Sequence, residues 1–371
     1  MLAYSILNSG YLPEYRFYID VTSASQHLTD LILFSAKPTS GGMVTYFVTD
    51  ENIQAGVAAR AANPNLKLIM SVGGGGRSDN FMVVASDAGK RQKFTATLGK
   101  MVAKYELDGL DMDWESPQTE HEMSVYVRLL NEIHVSFAET GKSLSVALHP
   151  GQSLGAHGYH AVDRVHLMTY DMMGASHADF TQVKNAVNNL IDAGCPRNKL
   201  VVGLPLYARE KDNPNNVKTY AEIADAMVEL EGEEPLIERM DATFRSTSEW
   251  NGFPFDSQAV AQRKTQWAKN QGLLGVFFWE LGQDKNEPHV SLVEAVMQVA
   301  SGSRVIQNPE IDPRAASAAR PEEPVSSLRE RRRAEGKRGR YNQPVAAESS
   351  SGESRRQKRK RSKESSGNYE L

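Results

Sequence analysis

The chain has 371 residues, of which 40% are hydrophobic and 24% charged, with a formal net charge of −4. That size suits one large packed core with extensions. No run of about eighteen apolar residues occurs, which excludes a membrane-spanning helix. The single cysteine, Cys195, excludes an intrachain disulfide, and its place between a helix and a strand reads as structural. The N-terminus, Met1-Leu-Ala-Tyr-Ser-Ile-Leu-Asn8, lacks a basic leader and a full apolar segment. It does not read as a signal peptide, and the compartment is left open.

From the N-terminus, apolar runs at 5–11, 31–35, 66–72, 109–114, 143–149, 165–170, 200–205 and 275–279 read as strands. Amphipathic stretches at 91–105, 120–140, 180–193 and 257–270 separate several of them and read as helices. Eight strands alternating with helices predict an α/β fold, a (β/α)8 TIM barrel. An open doubly wound sheet fits less well, because no Gly-x-Gly-x-x-Gly opens a helix after the first strand. The polar segment 208–252, with a periodic stretch at 220–229, is expected to hold one or two helices and a loop over one face. Composition changes near Ser301. Residues 303–371 carry 17 Lys/Arg against 10 Asp/Glu and few apolar residues, so a barrel of 1–302 and a disordered basic tail of 303–371 are expected. Arg355-Arg-Gln-Lys-Arg-Lys-Arg361 suits a nuclear-import or polyanion-binding element as well as a solubilising tail. Only through this tail is nucleic acid or another polyanion a candidate partner.

The segment Asp108-Gly-Leu-Asp111-Met-Asp113-Trp-Glu115 is the least ordinary in the chain. On a strand, side chains alternate between faces, so Asp111, Asp113 and Glu115 share one face while Leu110, Met112 and Trp114 take the other. Neighbours on that face lie roughly 7 Å apart. Three such acids repel one another unless one holds a proton or meets a cation. A solvated edge strand is the plain alternative, although Asp is a poor strand former. A divalent-metal cluster is another, but Ser116, Pro117 and Gln118 offer it few further ligands.

In a barrel, functional residues gather at the C-terminal strand ends. The unusual residues of this chain fall there: Tyr11; Ser71-Val-Gly73-Gly74-Gly75-Gly76; Glu115; Tyr170 and Asp171; Tyr207 and Arg209; Trp279 and Glu280. The glycines permit positive φ and a close backbone approach, but no Gly-Lys-Ser/Thr follows to make a phosphate loop. Met168 and Tyr170 share a face of their strand, and Tyr170 also suits a buried core position. The Trp279 indole offers a flat apolar face with a polar edge, a floor for a sugar ring or a core filler. His149 and His166 read as packed or hydrogen-bonded, since no His/Cys spacing resembles a zinc site.

Together these segments resemble glycoside hydrolase family 18, the chitinase-like family. Asp108 to Glu115 matches its DxxDxDxE signature, Ser71-Val-Gly73-Gly74 its SxGG motif and Met168-Thr-Tyr170-Asp171 its MxYD motif. Lys199 to Arg209 and Gly275 to Glu280 are similar to its seventh and eighth strands. The motifs run in family order over roughly residues 5–300. The resemblance implies a chitinase-type hydrolase cleaving β-1,4 bonds of N-acetylglucosamine polymers by substrate-assisted, retaining catalysis. Glu115 would be the general acid and Asp113 the group that orients the substrate's N-acetyl and offsets its growing charge. Asp111 would share a proton with Asp113, and Tyr170 would bond the acetamido oxygen. Asp171 would touch the sugar or that acetamide, Trp279 would floor the sugar, and Tyr11 and Ser71 would support the aspartates. Met168, Gly73, Gly74, Tyr207 and Arg209 complete the implied sugar-binding set. Chitin or N-acetylglucosamine oligosaccharides would be the partners of a monomer, with no metal and no cofactor. A chitinase-like lectin without activity, or an endo-β-N-acetylglucosaminidase acting on N-glycan cores, are the alternatives. Presence of Glu115, Asp113, Asp111 and Tyr170 favours activity.

Overall fold

Eight short apolar runs form the parallel strands of a closed barrel: β1 (Leu7–Pro13), β2 (Asp30–Pro38), β3 (Lys67–Gly73), β4 (Gly109–Asp113), β5 (Ser143–Leu148), β6 (Arg164–Leu167), β7 (Leu200–Pro205) and β8 (Gly275–Trp279). Each pairs with its sequence neighbours, and β1 closes the ring by pairing with both β2 and β8. The computed structural model describes residues 6–115, 117–174, 176–231 and 246–302. The basic tail expected at 303–371 lies outside the described residues, and so does the Arg355–Arg361 run.

The outer layer contains α1 (Asp50–Ala59), α2 (Ala88–Lys104), α3 (Glu120–Phe137), α4 (Phe180–Asp192), α5 (Tyr220–Glu231), α6 (Gln258–Asn270) and α7 (Leu292–Ala300). In α3 the residues Val125, Leu129, Ile133 and Phe137 recur every four positions and are buried together with Tyr126 and Leu130. That stripe packs on the sheet, each large apolar side chain contributing about 1.5–3 kcal/mol when fully buried. Thr119 and Glu122 close the start of α3 as a reciprocal capping box.

Strand alternation divides the core. Leu110, Met112 and Trp114 face the helices, while Tyr11, Ile32, Ile69, Ala147, Met168, Tyr170, Val201 and Phe277 belong to a separate cluster within the barrel. At the N-terminal end Arg164 donates to Asp30 (2.6 Å), and Thr29 and Ser9 donate to the same carboxylate. Both ion-pair partners open their strands, so this pin serves the fold rather than the opposite, functional face.

Several ends differ from the sequence-based expectation for local reasons. The strand expected to Tyr170 stops at Leu167, because the Thr169 N–H turns back to the Leu167 carbonyl and its hydroxyl donates to the Gly203 carbonyl (2.7 Å). The strand expected to Trp114 stops at Asp113, where the indole leaves the sheet to stack on Phe81. β2 runs further than expected because its end pairs with an antiparallel strand at Val44–Tyr46. The 208–252 segment does hold the expected helix, α5, together with small hairpins formed by Tyr207–Arg209 with Val217–Thr219 and by Glu249–Trp250 with Phe253–Pro254. Cys195 is buried, and burial pushes its thiol up to about 12. It stays protonated, in keeping with a structural role.

Candidate active site

The acidic strand β4 puts Asp111 and Asp113 inside the barrel, both essentially without exposure to solvent. Asp111 is held from two sides. Ser145 on β5 donates to Oδ1 (2.6 Å) and the Tyr11 phenol on β1 donates to Oδ2 (2.8 Å). The same phenol lies 2.8 Å from His166 Nδ1. With the phenolic proton on Asp111, His166 carries its proton on Nδ1 and leaves Nε2 bare, and Nε2 indeed has no partner among the described residues. Burial drives His166 down to about 3, so the imidazole is neutral. Burial likewise raises Asp111 to about 6 against the opposing pull of its two hydroxyl partners.

Asp113 is the more strongly perturbed acid. Burial, with Glu115 and then Asp111 beside it, holds its carboxyl well above the usual carboxylate range. Its Oδ1 is buried and has no hydrogen-bond partner among the described residues. Buried polar atoms are rarely left so, and an orphan at a site is a place for a ligand atom.

The glycine run explains how β3 lies so close to this strand. Gly73 has φ of 111°, its N-terminal neighbours pair with β4, and a Cβ built on it would fall 2.0 Å from the Asp113 carbonyl oxygen. Gly74 donates its N–H to that carbonyl (2.7 Å). The close approach is therefore to the acidic strand itself. Ser78, just beyond, accepts the Glu115 backbone N–H (3.0 Å) and fixes the exit of the chain from β4.

Above the acids lies a cleft of about 230 Å³ lined by Tyr11, Tyr15, Phe34, Gly75, Arg77, Asp113, Glu115, Ala147, His149, Met168, Tyr170, Asp171 and Trp279. Trp279 packs edge-on against Phe34, with ring centroids 4.9 Å apart, and against Tyr11. Arg77 lies 5.1 Å from the centre of the Phe34 ring and is clamped by Glu14. Burial keeps the Tyr170 phenol protonated far into the alkaline range. Asp171 has φ of 57° and accepts both the Tyr207 hydroxyl and a two-point contact from Arg209. Despite its partial burial, His177, Arg209 and Tyr207 hold its carboxyl well below the usual range.

Of the residues singled out in the sequence, Asp113, Glu115, Tyr11, Met168, Tyr170, Asp171 and Trp279 thus meet at one cleft. Tyr207 and Arg209 lie behind it on Asp171, and Gly73 and Gly74 lie beneath it on β4. Ser71 stands in register beside Asp111, but its hydroxyl has no partner among the described residues. The hydroxyls on Asp111 come from Tyr11 and from Ser145, the latter on the other flank of β4. Sequence reading missed Ser145, Phe34, Arg77, Tyr15 and Ala147. Ser145 had a signal, since aligning β4 and β5 in register puts it opposite Asp111; Arg77 had none. His166 is packed and hydrogen-bonded as expected, whereas His149 faces the cleft.

The profile of the glycosyl hydrolases of family 18 matches residues 8–284. The chain belongs to glycosyl hydrolase family 18. A class V chitinase of Lotus japonicus is 28% identical, the match covering 60% of this chain and 68% of the relative. Endochitinase 1 of Metarhizium robertsii is 26% identical, with coverage of 62% and 64%. The chain thus spans about two thirds of the length of these two relatives. Among solved structures, the family 18 chitinase ChiB of Flavobacterium johnsoniae superposes with a TM-score of 0.69 at 22% identity, covering 82% of this chain and 98% of that one. A family 18 chitinase of Cycas revoluta, solved with allosamidin, gives 0.65 at 24% identity over 80% and 99%. These two likenesses bear on the fold, and the (β/α)8 barrel is common to them.

Proposed function

We propose that this family 18 chain cleaves β-1,4 bonds of N-acetylglucosamine polymers, with the substrate's own acetamido group as nucleophile. The observation that carries this reading is Asp113: a buried carboxyl, raised well above the usual carboxylate range by burial and by Glu115 beside it, with one oxygen free of partners among the described residues under an aromatic-lined cleft. The cleft is smaller than the about 300–1,000 Å³ of common ligand pockets. It suits close recognition of one sugar residue, with the rest of the polymer outside it.

In the proposed reaction Trp279 supports the sugar face, and the free oxygen of Asp113 accepts the acetamide N–H. The Tyr170 hydroxyl donates to the acetamido oxygen and aims it at the anomeric carbon. As that oxygen attacks, Glu115 gives its proton to the departing glycosidic oxygen. Asp113 releases proton density toward Asp111 and meets the positive charge that develops on the oxazolinium ring. Asp111, raised to about 6, is near enough to neutrality to take that share. Water then opens the ring with Glu115 as base, so configuration is retained. Asp171, fixed by Arg209 and Tyr207, holds the wall of the cleft.

Release of a fluorophore from a chitobioside or chitotrioside tests the reading. Glu115→Gln is expected to abolish release while oligosaccharide binding stays measurable. Near-wild-type turnover by the variant would remove Glu115 as the acid.

A further inference from the structure

We propose that His149 is a positioning residue for Glu115. It would present Nε2–H to one carboxyl oxygen, so that the proton delivered to the leaving group sits on the other. This rests on the reading of Glu115 as the acid.

The two side chains approach each other across the cleft, with Nε2 3.4 Å from Glu115 Oε2. A small turn of either brings them to hydrogen-bonding distance, and such contacts are commonly longer without substrate. Both line the same cavity. The placement of His149 is built rather than incidental. It leaves β5 at the first position of a tight turn with Pro150 second and Gly151 third, the latter at φ 93°. The turn is closed by the Gln152 N–H donating to the His149 carbonyl (3.1 Å), the pattern of a type II turn. Gln152 Oε1 accepts the His149 N–H in return (2.7 Å). The backbone is therefore clamped on both sides, and the ring is directed from a fixed base. Gly75 also borders Oε2, and an added Cβ there would still lie 3.8 Å from it. Apart from His149, no side-chain hydrogen-bond or ion-pair partner of the Glu115 carboxyl is found among the described residues. An acid with two equivalent oxygens and no fixed partner delivers its proton from many orientations. One donor on Oε2 selects the productive set.

A group that acts through the general acid matters most when the leaving group needs a proton. The test compares His149→Ala and His149→Gln on two substrates that share a chitotriose glycon and differ in leaving group, chitotriose extended by a further sugar and the 2,4-dinitrophenyl glycoside of chitotriose. For Ala, kcat on the oligosaccharide is expected to fall at least about tenfold, with KM little changed. On the dinitrophenyl glycoside, which departs without protonation, the loss should stay under about threefold. Gln, which keeps a donor, should restore much of the oligosaccharide rate. Equal losses on both substrates, an effect confined to KM, or an unchanged oligosaccharide rate would each overturn the proposal. If Glu115→Gln leaves both substrates at wild-type rates, the assignment of Glu115 fails instead, and the two failures are told apart.

Discussion

Asp113 unites two requirements that ordinarily conflict. Burial beside two other carboxyls raises Asp113 well above the usual carboxylate range and favours its neutral form, yet the proposed chemistry needs it to become anionic as the substrate becomes cationic. Asn has the shape of the neutral acid but cannot take on charge. Asp113→Asn is therefore expected to fold at least as well as the parent, since no ionisable group is buried at that position, while kcat for a chitotrioside falls on the order of 100-fold. Thermal melting alongside steady-state kinetics checks both halves, and an unchanged rate would sink the substrate-assisted route. At this scale the sequence was informative where residue type alone restricts function. Three acids on alternate positions of a strand announce themselves, and so does an indole at a strand end. Ser145 and Arg77 are unremarkable as residue types. They gain meaning only from register or from a turn, which no local pattern encodes.

At the scale of elements, the β3 turn shows what the glycines are for. Gly73 and Gly76 both have positive φ, 111° and 71°. Among the described residues a Cβ on Gly76 would meet nothing within 4 Å, whereas one on Gly73 would strike the Asp113 carbonyl. Gly76→Ala thus meets backbone strain alone, about 1–2 kcal/mol. Gly73→Ala adds a clash with the backbone that carries the acids. Chemical denaturation should give a clearly larger loss for Gly73→Ala, with activity falling beyond what the remaining folded fraction accounts for. Equal losses for the two variants would mean that the contact with β4 does not hold the site. Elements were legible where periodicity was strong, as in α3 and the apolar strands. Their ends were less so, because Leu167 and Asp113 end strands through contacts with Gly203 and Phe81 far along the chain. α1 and α7 went unexpected although both are regular helices. The glycine run could be read as permissive, but whether its close approach served a ligand or a neighbouring strand depended on the closed barrel.

Across the whole molecule, the buried acids couple the site to the stability of the barrel. Asp111 moves from 3.8 to about 6 on folding. Between those values the folded protein binds more protons than the unfolded chain. The contribution of Asp111 is hence fully present below about pH 4 and is lost as pH rises through about 6. Asp113 acts in the same direction. His166 acts oppositely: folding lowers it from 6.5 to about 3, so its contribution is present above about 6.5 and is lost as pH falls. The raw pH profile of melting mixes these slopes, and a difference measurement separates them. Asp111→Asn has nothing to ionise at that position. Its amide can donate to Tyr11, which then donates to His166 Nδ1 as the ring shifts its proton to the vacant Nε2. Relative to the parent, Asp111→Asn should therefore gain stability as pH is raised from 4 to 7, by about 3 kcal/mol for a shift of this size. Urea unfolding of both proteins at each pH measures it. A difference that stays flat, or that favours the parent as pH rises, would mean that Asp111 is ionised in the folded barrel throughout, and the proton-sharing role assigned to it beneath Asp113 would have to be given up.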